Sequence, residues 1–500
     1  MCGIAAIYGS NLTEKKDLLD HILNKLDHRG DKKREIKTLD NCLLGCNRLS
    51  IIDREKAIQP ISNEDNSIFI VFNGEIYNYK ELRNELKNHQ FKTDSDTEVL
   101  VHAYEEWNID LLNKLNGQFA FVIYDKNNDS IFAARDHFGI KPLYYTISMD
   151  YIAFASEIKA LTDLDSDEIK TIQPGTYFIN NRINTYFTLK KQFFNDNINE
   201  IKYDIKQLFD EAVKKRVQTD LPIAVLLSGG IDSSLVLKYA LEYHNNVTAF
   251  CIGEENSEDL FYARKITDHF RIELKTFDPK NIDTKKEIEK FIYIGETFEP
   301  NHINTLGLSY YIAKIMHDNG IKIALAGEGS DEIFAGYSEF KSIKDKKELQ
   351  SQLLRYIKLL HRTQLQRVDR MSMANQIEVR VPFLDKKLVE YVMSIDPLLK
   401  IKNNQTKWIL REAFRDELPD YIIEREKMAF PVGASKRKEF EEDEYKKLVD
   451  TLSDKEFESI QKKFPQYHLK DKEEAFYFNI YKKYFLKAKF NQERFRMRSR

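Results

Sequence analysis

The sequence predicts an α+β domain followed by an α/β domain built on a parallel sheet, with a helical C-terminal part. Three observations carry this prediction. Over the first ~190 residues, short apolar runs (CGIAAIY, SIFIVF, QFAFVIYD, SIFAARD) alternate with helical stretches in the pattern of locally paired strands. Beyond ~202 the rhythm becomes strand, helix, strand, helix, which argues for parallel strands covered on both faces. From ~344 onward the pattern is mostly helical and ends in charged helices rich in Lys, Glu and aromatics. With 500 residues and 42% hydrophobic content, the chain is long enough for more than one core.

The individual elements follow in order. NCLLGCNRLSI is expected as a buried strand, which makes Cys42 and Cys46 core residues rather than a metal pair, since no second Cys/His pair completes a tetrahedral site. Ser95 and Glu98 in SDTEVLVHAYEEW form a capping box that opens a helix. FVIYDKNNDSIFAARD is a hairpin turned by Asn and Asp. The polar, aperiodic KKQFFNDNINEIKYD marks the boundary, giving domains at 2–190 and 200–500. After it, LPIAVLLSGG is a strand with a glycine turn, IDSSLVLKYALEY a helix, VTAFCIG a strand, DLFYARKITDHF a helix, and IKIALAGEGSDE a strand running into a loop.

Charge excludes some partners. A formal net charge of −3, from 77 basic and 80 acidic residues, supplies no one-sign field to hold nucleic acid or anionic lipid, and the basic ending ERFRMRSR is expected as a solvated tail. No apolar run is long enough to cross a bilayer and no signal peptide is legible, so the expected partners are small molecules, without nucleic acid or membrane. Four scattered cysteines fit a reducing compartment, and the expected location is cytoplasmic.

The chemistry begins at the second residue. A small side chain after Met1 permits removal of the initiator methionine, which would give Cys2 a free α-amine beside its thiol. A thiol near pKa 8.5 is a strong nucleophile once deprotonated, and an amine of pKa about 7.7–8.0 is a plausible base. Taken alone, a cysteine in this position is weak evidence. With NRLSIID, FNGEIYNYKEL, SDTEV and RDHFGIKPLYY, however, the first domain resembles the class II glutamine amidotransferase domain, an N-terminal nucleophile hydrolase with a four-layer αββα sandwich. The resemblance implies that Cys2 is the nucleophile, that the Asn73 side chain and Gly74 N–H form the oxyanion hole, and that Arg48, Asp96 and Glu75 bind the charged ends of glutamine. One departure is visible: where the family usually has a proline after His28-Arg29-Gly30, this chain has Asp31, which puts closure over glutamine in question.

In the second domain, LLSGGIDSS (226–234) places small hydroxyls and backbone N–H groups between a strand and a helix, a cradle for phosphates. It lacks the Gly-Lys-Ser/Thr ending of a Walker A loop and resembles the pyrophosphate loop of ATP pyrophosphatases. AGEGSDEIFAGY (326–337) adds carboxylates at a strand's C-terminal end, where a parallel sheet binds ligands; Asp232 and Asp331 are the candidates to hold Mg2+ on the phosphates of ATP. With RVDRMSMANQIEVRVPFLD, TKWILREAF and EREKMAFPVG, residues ~2–435 resemble the glutamine-dependent asparagine synthetases, and the last ~65 residues add little. The resemblance implies ATP contacts at Leu227, Ser228, Gly229, Gly230, Asp232, Ser233, Ser234, Ile252 and Gly327, with Glu328 handling the attacking ammonia and Lys427 neutralising phosphate charge.

The implied reaction is glutamine-dependent, ATP-dependent amidation of L-aspartate to L-asparagine, through a glutamyl thioester on Cys2, transfer of ammonia and an acyl-adenylate, with AMP and pyrophosphate as products. Substrates would be glutamine, ATP and a carboxylate acceptor, with Mg2+ as cofactor; a homodimer is compatible with the resemblance. The acceptor is less firmly implied, because one branch of the family has Thr-Thr-x-Arg where this chain has Asn301-His302-Ile303-Asn304. Amidation of another carboxylate, such as a uronic acid, is the alternative. A non-catalytic glutamine or nucleotide sensor would be expected to lose its nucleophile or phosphate loop, and this chain has kept both.

Overall fold

The computed structural model describes the chain apart from residues 11, 33, 167, 191–196, 282, 427, 429–448 and 487–500. The basic tail lies outside the described residues, as does Lys427.

The first domain contains two six-stranded antiparallel sheets. One is centred on Gly3–Gly9, flanked by Cys42–Asn47 and Tyr151–Ala155; the other on Gly117–Asp125, flanked by Ile68–Ile76 and Ser130–Arg135. The period-2 pattern of the strands explains the layers. Ile4 and Ala6 point between the sheets with Val71, Ala120 and Val122, while Ala5 and Ile7 face outward onto the helix Lys16–Asn24. On the second sheet Ile70, Phe72, Phe119 and Phe121 face outward onto the helix Asp96–Trp107. Helix, sheet, sheet and helix give the expected αββα sandwich. Cys42 and Cys46 lie in the buried strand as expected.

The hairpin Gly117–Asp125 to Ser130–Arg135 is as expected, its turn held by Asp125 Oδ1 accepting from Asn127 N–H at 2.9 Å. The capping box is not complete. The Ser95 hydroxyl accepts from Glu98 N–H, but the Glu98 carboxylate turns away to the N–H groups of Lys92 and Thr93 at 2.7 and 2.6 Å, because the loop before the helix offers two donors where Ser95 offers one. Part of the aperiodic boundary segment is also helical: a helix runs Ile198–Arg216, with Asn197 as its N-cap.

The second domain is a five-stranded parallel sheet in the spatial order Leu274–Phe277, Val247–Ile252, Ile223–Leu226, Ile323–Leu325, Glu378–Arg380. The last strand comes from QIEVRVPF, inside the region expected to be helical; three residues are too few to show a period. The chain leaves the central strand Ile223–Leu226 in one direction and returns on its other side at Ile323–Leu325. The two loops expected to bind ATP leave the C-terminal ends of these neighbours, at the point where the strand order reverses. The C-terminal helix Lys472–Phe485 buries Phe478 and Tyr481 against Phe298, just before the segment Asn301–Asn304. Among the described residues no helix is long and apolar enough to cross a membrane.

Candidate active site

The strand Gly3–Gly9 delivers Cys2 to the edge of the sandwich, where the thiol is buried. The Cys46 thiol, on the neighbouring strand, hydrogen-bonds it and is the chief cause of its lowered pKa, about 6; the N-terminal ammonium, Leu49 N–H and Arg48 add to this against the opposing effect of burial. The register that pairs Ile4 with Cys46 brings the two thiols onto one face. Gln59 Nε2 lies 3.8 Å from Cys2 Sγ, and neither Gln59 nor Cys46 was marked by the sequence motifs.

Asn73 is fully buried. Its Oδ1 accepts from Cys2 N–H at 3.0 Å, while its Nδ2 has no hydrogen-bond partner. An unpaired buried donor is destabilising, about 1–3 kcal/mol, and is expected where a ligand completes the bond. Gly74 follows on the same strand. A Cβ there would stand 2.1 Å from the Gln118 carbonyl, so only glycine permits this approach.

Asp96 begins the helix Asp96–Trp107, with Oδ2 accepting from Ile76 N–H at 3.0 Å. Burial pushes its carboxyl up to about 7, with Glu378 and Cys2 adding to the shift and Ile76 N–H opposing it. Arg48 is held by the carbonyls of Ile52, Asp53 and Arg54 at 2.7–3.0 Å. Glu75 is differently engaged: its Oε2 accepts from Arg380 Nη2 at 3.0 Å, a residue of the parallel sheet, and Arg380 Nε donates to Glu378 at 2.7 Å. Glu75 thus belongs to the wall between the domains.

That wall is made of charges. Arg29 of the His-Arg-Gly segment donates to the Cys2 carbonyl at 3.1 Å and to both oxygens of Asp369 at 2.9 and 3.1 Å. Arg29, Glu157 and Lys159 from the first domain interlock with Asp369, Arg370 and Glu296 from the second, all buried. Asp31, at the position of the missing proline, accepts from Ser50 and from Lys322 of the second domain. The altered segment therefore joins the interdomain contact. Met1, 2% exposed, packs in this wall with its ammonium 3.3 Å from Glu378 Oε2.

At the parallel sheet, the Ser228 and Ser233 hydroxyls bracket the turn, and the helix Ile231–Tyr243 starts at Gly230 with no side-chain cap, leaving its first N–H groups toward the loop. Gly229 has φ +67°, and a Cβ there would strike the Tyr262 backbone at 2.6 Å. Ser234 Oγ is buried without a partner. Leu227 and Ile252 are buried at the strand ends, and Gly327 lets the second loop approach Asp232, whose Cβ would be 2.9 Å from any added Cβ.

Asp232 and Asp331 do converge. Both meet Lys407 Nζ, at 2.5 and 2.6 Å, a buried lysine that the sequence motifs left without a role. Glu328 is met by Arg367 Nη2 at 3.3 Å, on the helix Gln364–Met373 that also carries Asp369, two residues further on. Arg425 donates to the Ser228 carbonyl at 2.7 Å and to Asp259 at 2.6 Å, tying the segment before Lys427 to the phosphate loop. Beside Glu328's loop lies a small cavity of about 40 Å³ lined by Glu299, Asn301, His302, Glu332, Tyr337, Tyr356, Thr363 and Gln364. Burial, with Arg367 and Arg362, holds the His302 ring down at about 4.

This geometry agrees with the comparisons to known proteins. Residues 1–208 match the family model described as "Glutamine amidotransferase domain", and residues 204–346 and 341–492 match "Asparagine synthase". The chain belongs to the asparagine synthase family. It is 36% identical to asparagine synthetase (glutamine-hydrolyzing) 2 of Arabidopsis thaliana, over 98% of this chain and 88% of that one. To asparagine synthetase (glutamine-hydrolyzing) 3 of the same plant it is 37% identical over 87% of this chain and 79% of that one. Against asparagine synthetase (glutamine-hydrolyzing) 2 of Oryza sativa subsp. japonica the values are 37%, 87% and 77%. Family membership accounts for the joining of a buried cysteine site to an ATP-type loop.

Proposed function

We propose that this chain converts L-aspartate to L-asparagine with glutamine as nitrogen donor and ATP as activator. One observation carries the proposal. The N-terminal end that bears Cys2 is seated directly on the strand Glu378–Arg380, so the two half-sites share one buried wall.

In the first half-reaction the Cys2 thiolate attacks the side-chain amide carbon of glutamine. The developing oxyanion takes the free Nδ2 of Asn73 and the Gly74 N–H, donors fixed before the charge appears. Arg48 faces the α-carboxylate and Asp96 the α-ammonium. Once Met1 is removed, the Cys2 amine would sit where Asn73 Oδ1 orients it and would hand a proton to departing ammonia. Water then releases glutamate from the thioester. Because Met1 is buried in the wall, its excision would precede closure of the domains and would vacate space between Cys2 and the parallel sheet on the side toward the second site.

In the second half-reaction the loop Ser228–Ser234 holds the phosphates, the aspartate carboxylate attacks the α-phosphorus, and pyrophosphate leaves. Ammonia displaces AMP from the acyl-adenylate, with Glu328 taking a proton. Asp232 and Asp331 converge on Lys407 Nζ, and two carboxylates beside a phosphate loop are the donor type that Mg2+ takes. Asp232 and Asp331 would hold it, and it would offset the charge of the phosphates. Lys427 and the ATP contacts at Ile252 and Gly327 belong to the same proposal. Arg367 and Arg362, close to His302, would supply the positive field that Asn301–Asn304 lack for an acceptor carboxylate.

The test is pyrophosphate release with MgATP and either glutamine or ammonium, with and without L-aspartate, and mass spectrometry of the product. Cys2→Ala should lose glutamine-driven synthesis and keep ammonia-driven synthesis. Aspartate-independent pyrophosphate release, or an amide other than asparagine, would overturn the assignment.

A further inference from the structure

A second cluster of ligating side chains lies in the first domain, away from Cys2. His89 and His102 face the carboxylates of Glu64 and Glu105, and one ligand atom from each of the four lies within 4.8 Å of all the others. His102 and Glu105 are three residues apart on one face of the helix Asp96–Trp107, His89 comes from the loop before it, and Glu64 from the turn before the strand Ile68–Ile76.

The distances suit a small cation. His89 Nδ1 stands 3.3 Å from Glu64 and 3.6 Å from Glu105; His102 Nδ1 stands 3.4 and 3.9 Å from the same two. Ligands about 2.0–2.1 Å from a tetrahedral zinc are separated by about 3.4 Å. Glu98 and Glu106 stand behind the rings, 3.6 Å from His102 Nε2 and 3.5 Å from His89 Nε2, too far to hydrogen-bond them as placed.

The independent sign of a ligand is His102 itself. It is 0% exposed, yet neither ring nitrogen makes a hydrogen bond. The two imidazoles lie 4.7 Å apart at an interplanar angle of 35°. Directing its Nδ1 lone pair inward onto a cation would give His102 the partner it lacks.

We propose that Glu64, His89, His102 and Glu105 form a structural zinc site. Imidazole with carboxylate favours zinc over Mg2+, and four protein ligands leave no open position for catalysis. The ion would tie the loop carrying His89 and the turn carrying Glu64 to the helix that begins with Asp96.

To test it, full-length Cys2→Ala protein, in which the active-site thiol cannot capture metal, is stripped with chelator, re-equilibrated with Zn2+, and analysed for bound metal and melting temperature. The expected result is about one zinc per chain, with a melting temperature raised by Zn2+ and unmoved by Mg2+. His89→Gln and Glu105→Gln, at the outer side of the cluster, should each weaken zinc binding about 10- to 100-fold and abolish the thermal shift, while melting like the parent without zinc. Co2+ in the parent should give the visible bands of a four-coordinate N/O site. Zinc well below one equivalent in the parent, or undiminished binding and thermal shift in both variants, would refute the site.

Discussion

Replacing Asn73 by alanine tests the glutamine site at a single atom. The residue does two things: Oδ1 accepts from Cys2 N–H at 3.0 Å, and Nδ2 has no partner. Losing one preorganised oxyanion donor typically lowers kcat about 10²–10³-fold, or about 2.7–4 kcal/mol. Asn73→Ala should therefore lose that factor in glutamate release. Asn73→Asp keeps an acceptor for Cys2 N–H but puts an oxygen where the donor stood, so it should be no better than alanine. Pyrophosphate release driven by ammonium should stay within about two-fold of the parent in both, because the phosphate loop lies on a different sheet. The assay is steady-state glutamate release and ammonium-driven pyrophosphate release on the same preparation. A loss below about ten-fold in glutaminase kcat, or an equal loss with ammonium, would refute the role given to Nδ2.

Three further outcomes are expected. Lys407→Met leaves Asp232 and Asp331 without their shared cation and should abolish pyrophosphate release with either nitrogen source while sparing glutamate release. Asp369→Asn breaks the two-point contact with Arg29; removing one partner of a buried pair is destabilising by about 3–5 kcal/mol, visible as a lower urea midpoint, and glutamate should then be released in excess of pyrophosphate. The pH profile follows from two shifted groups. The Cys2 thiol is lowered to about 6 with Met1 in place, chiefly by the Cys46 thiol, a contact that excision of Met1 leaves, so glutaminase kcat should fall as pH drops toward 6. Asp96, raised to about 7, loses its charge earlier on acidification, so KM for glutamine should rise below about 7, before kcat falls. Flat profiles between pH 5 and 8 would contradict both assignments.

What could be read from the sequence was what is local. Cys2, Asn73 with Gly74, and Ser228–Ser234 stand in short local motifs, and the apolar runs predicted the locally paired strands of the first domain, while its four layers came from the resemblance those motifs carry. What was missed depends on distant pairing. Lys407 reaches Asp232 across 175 residues and Arg380 reaches Glu75 across 305, separations that no periodicity records. The strand Glu378–Arg380 was hidden because it is three residues long and is defined by its neighbour in the sheet. Glu98 shows the opposite failure: the capping motif is present, but a nearby loop supplies better donors.

The charged wall limits how far the chain can be treated as two parts. The family-model matches meet at 204–208, a natural place to cut a gene. In space the two parts meet across the buried charged wall. A first half made alone would expose Arg29, Glu157 and Lys159, side chains whose partners are on the other half or beside it, and would leave Met1 without the surface it rests on. The two halves of this chain are consequently poor candidates for exchange with those of a relative unless Asp369, Arg370, Glu296 and Glu378 are exchanged with them: specificity of one half for the other is written into ion pairs, and modularity in sequence does not become modularity in assembly.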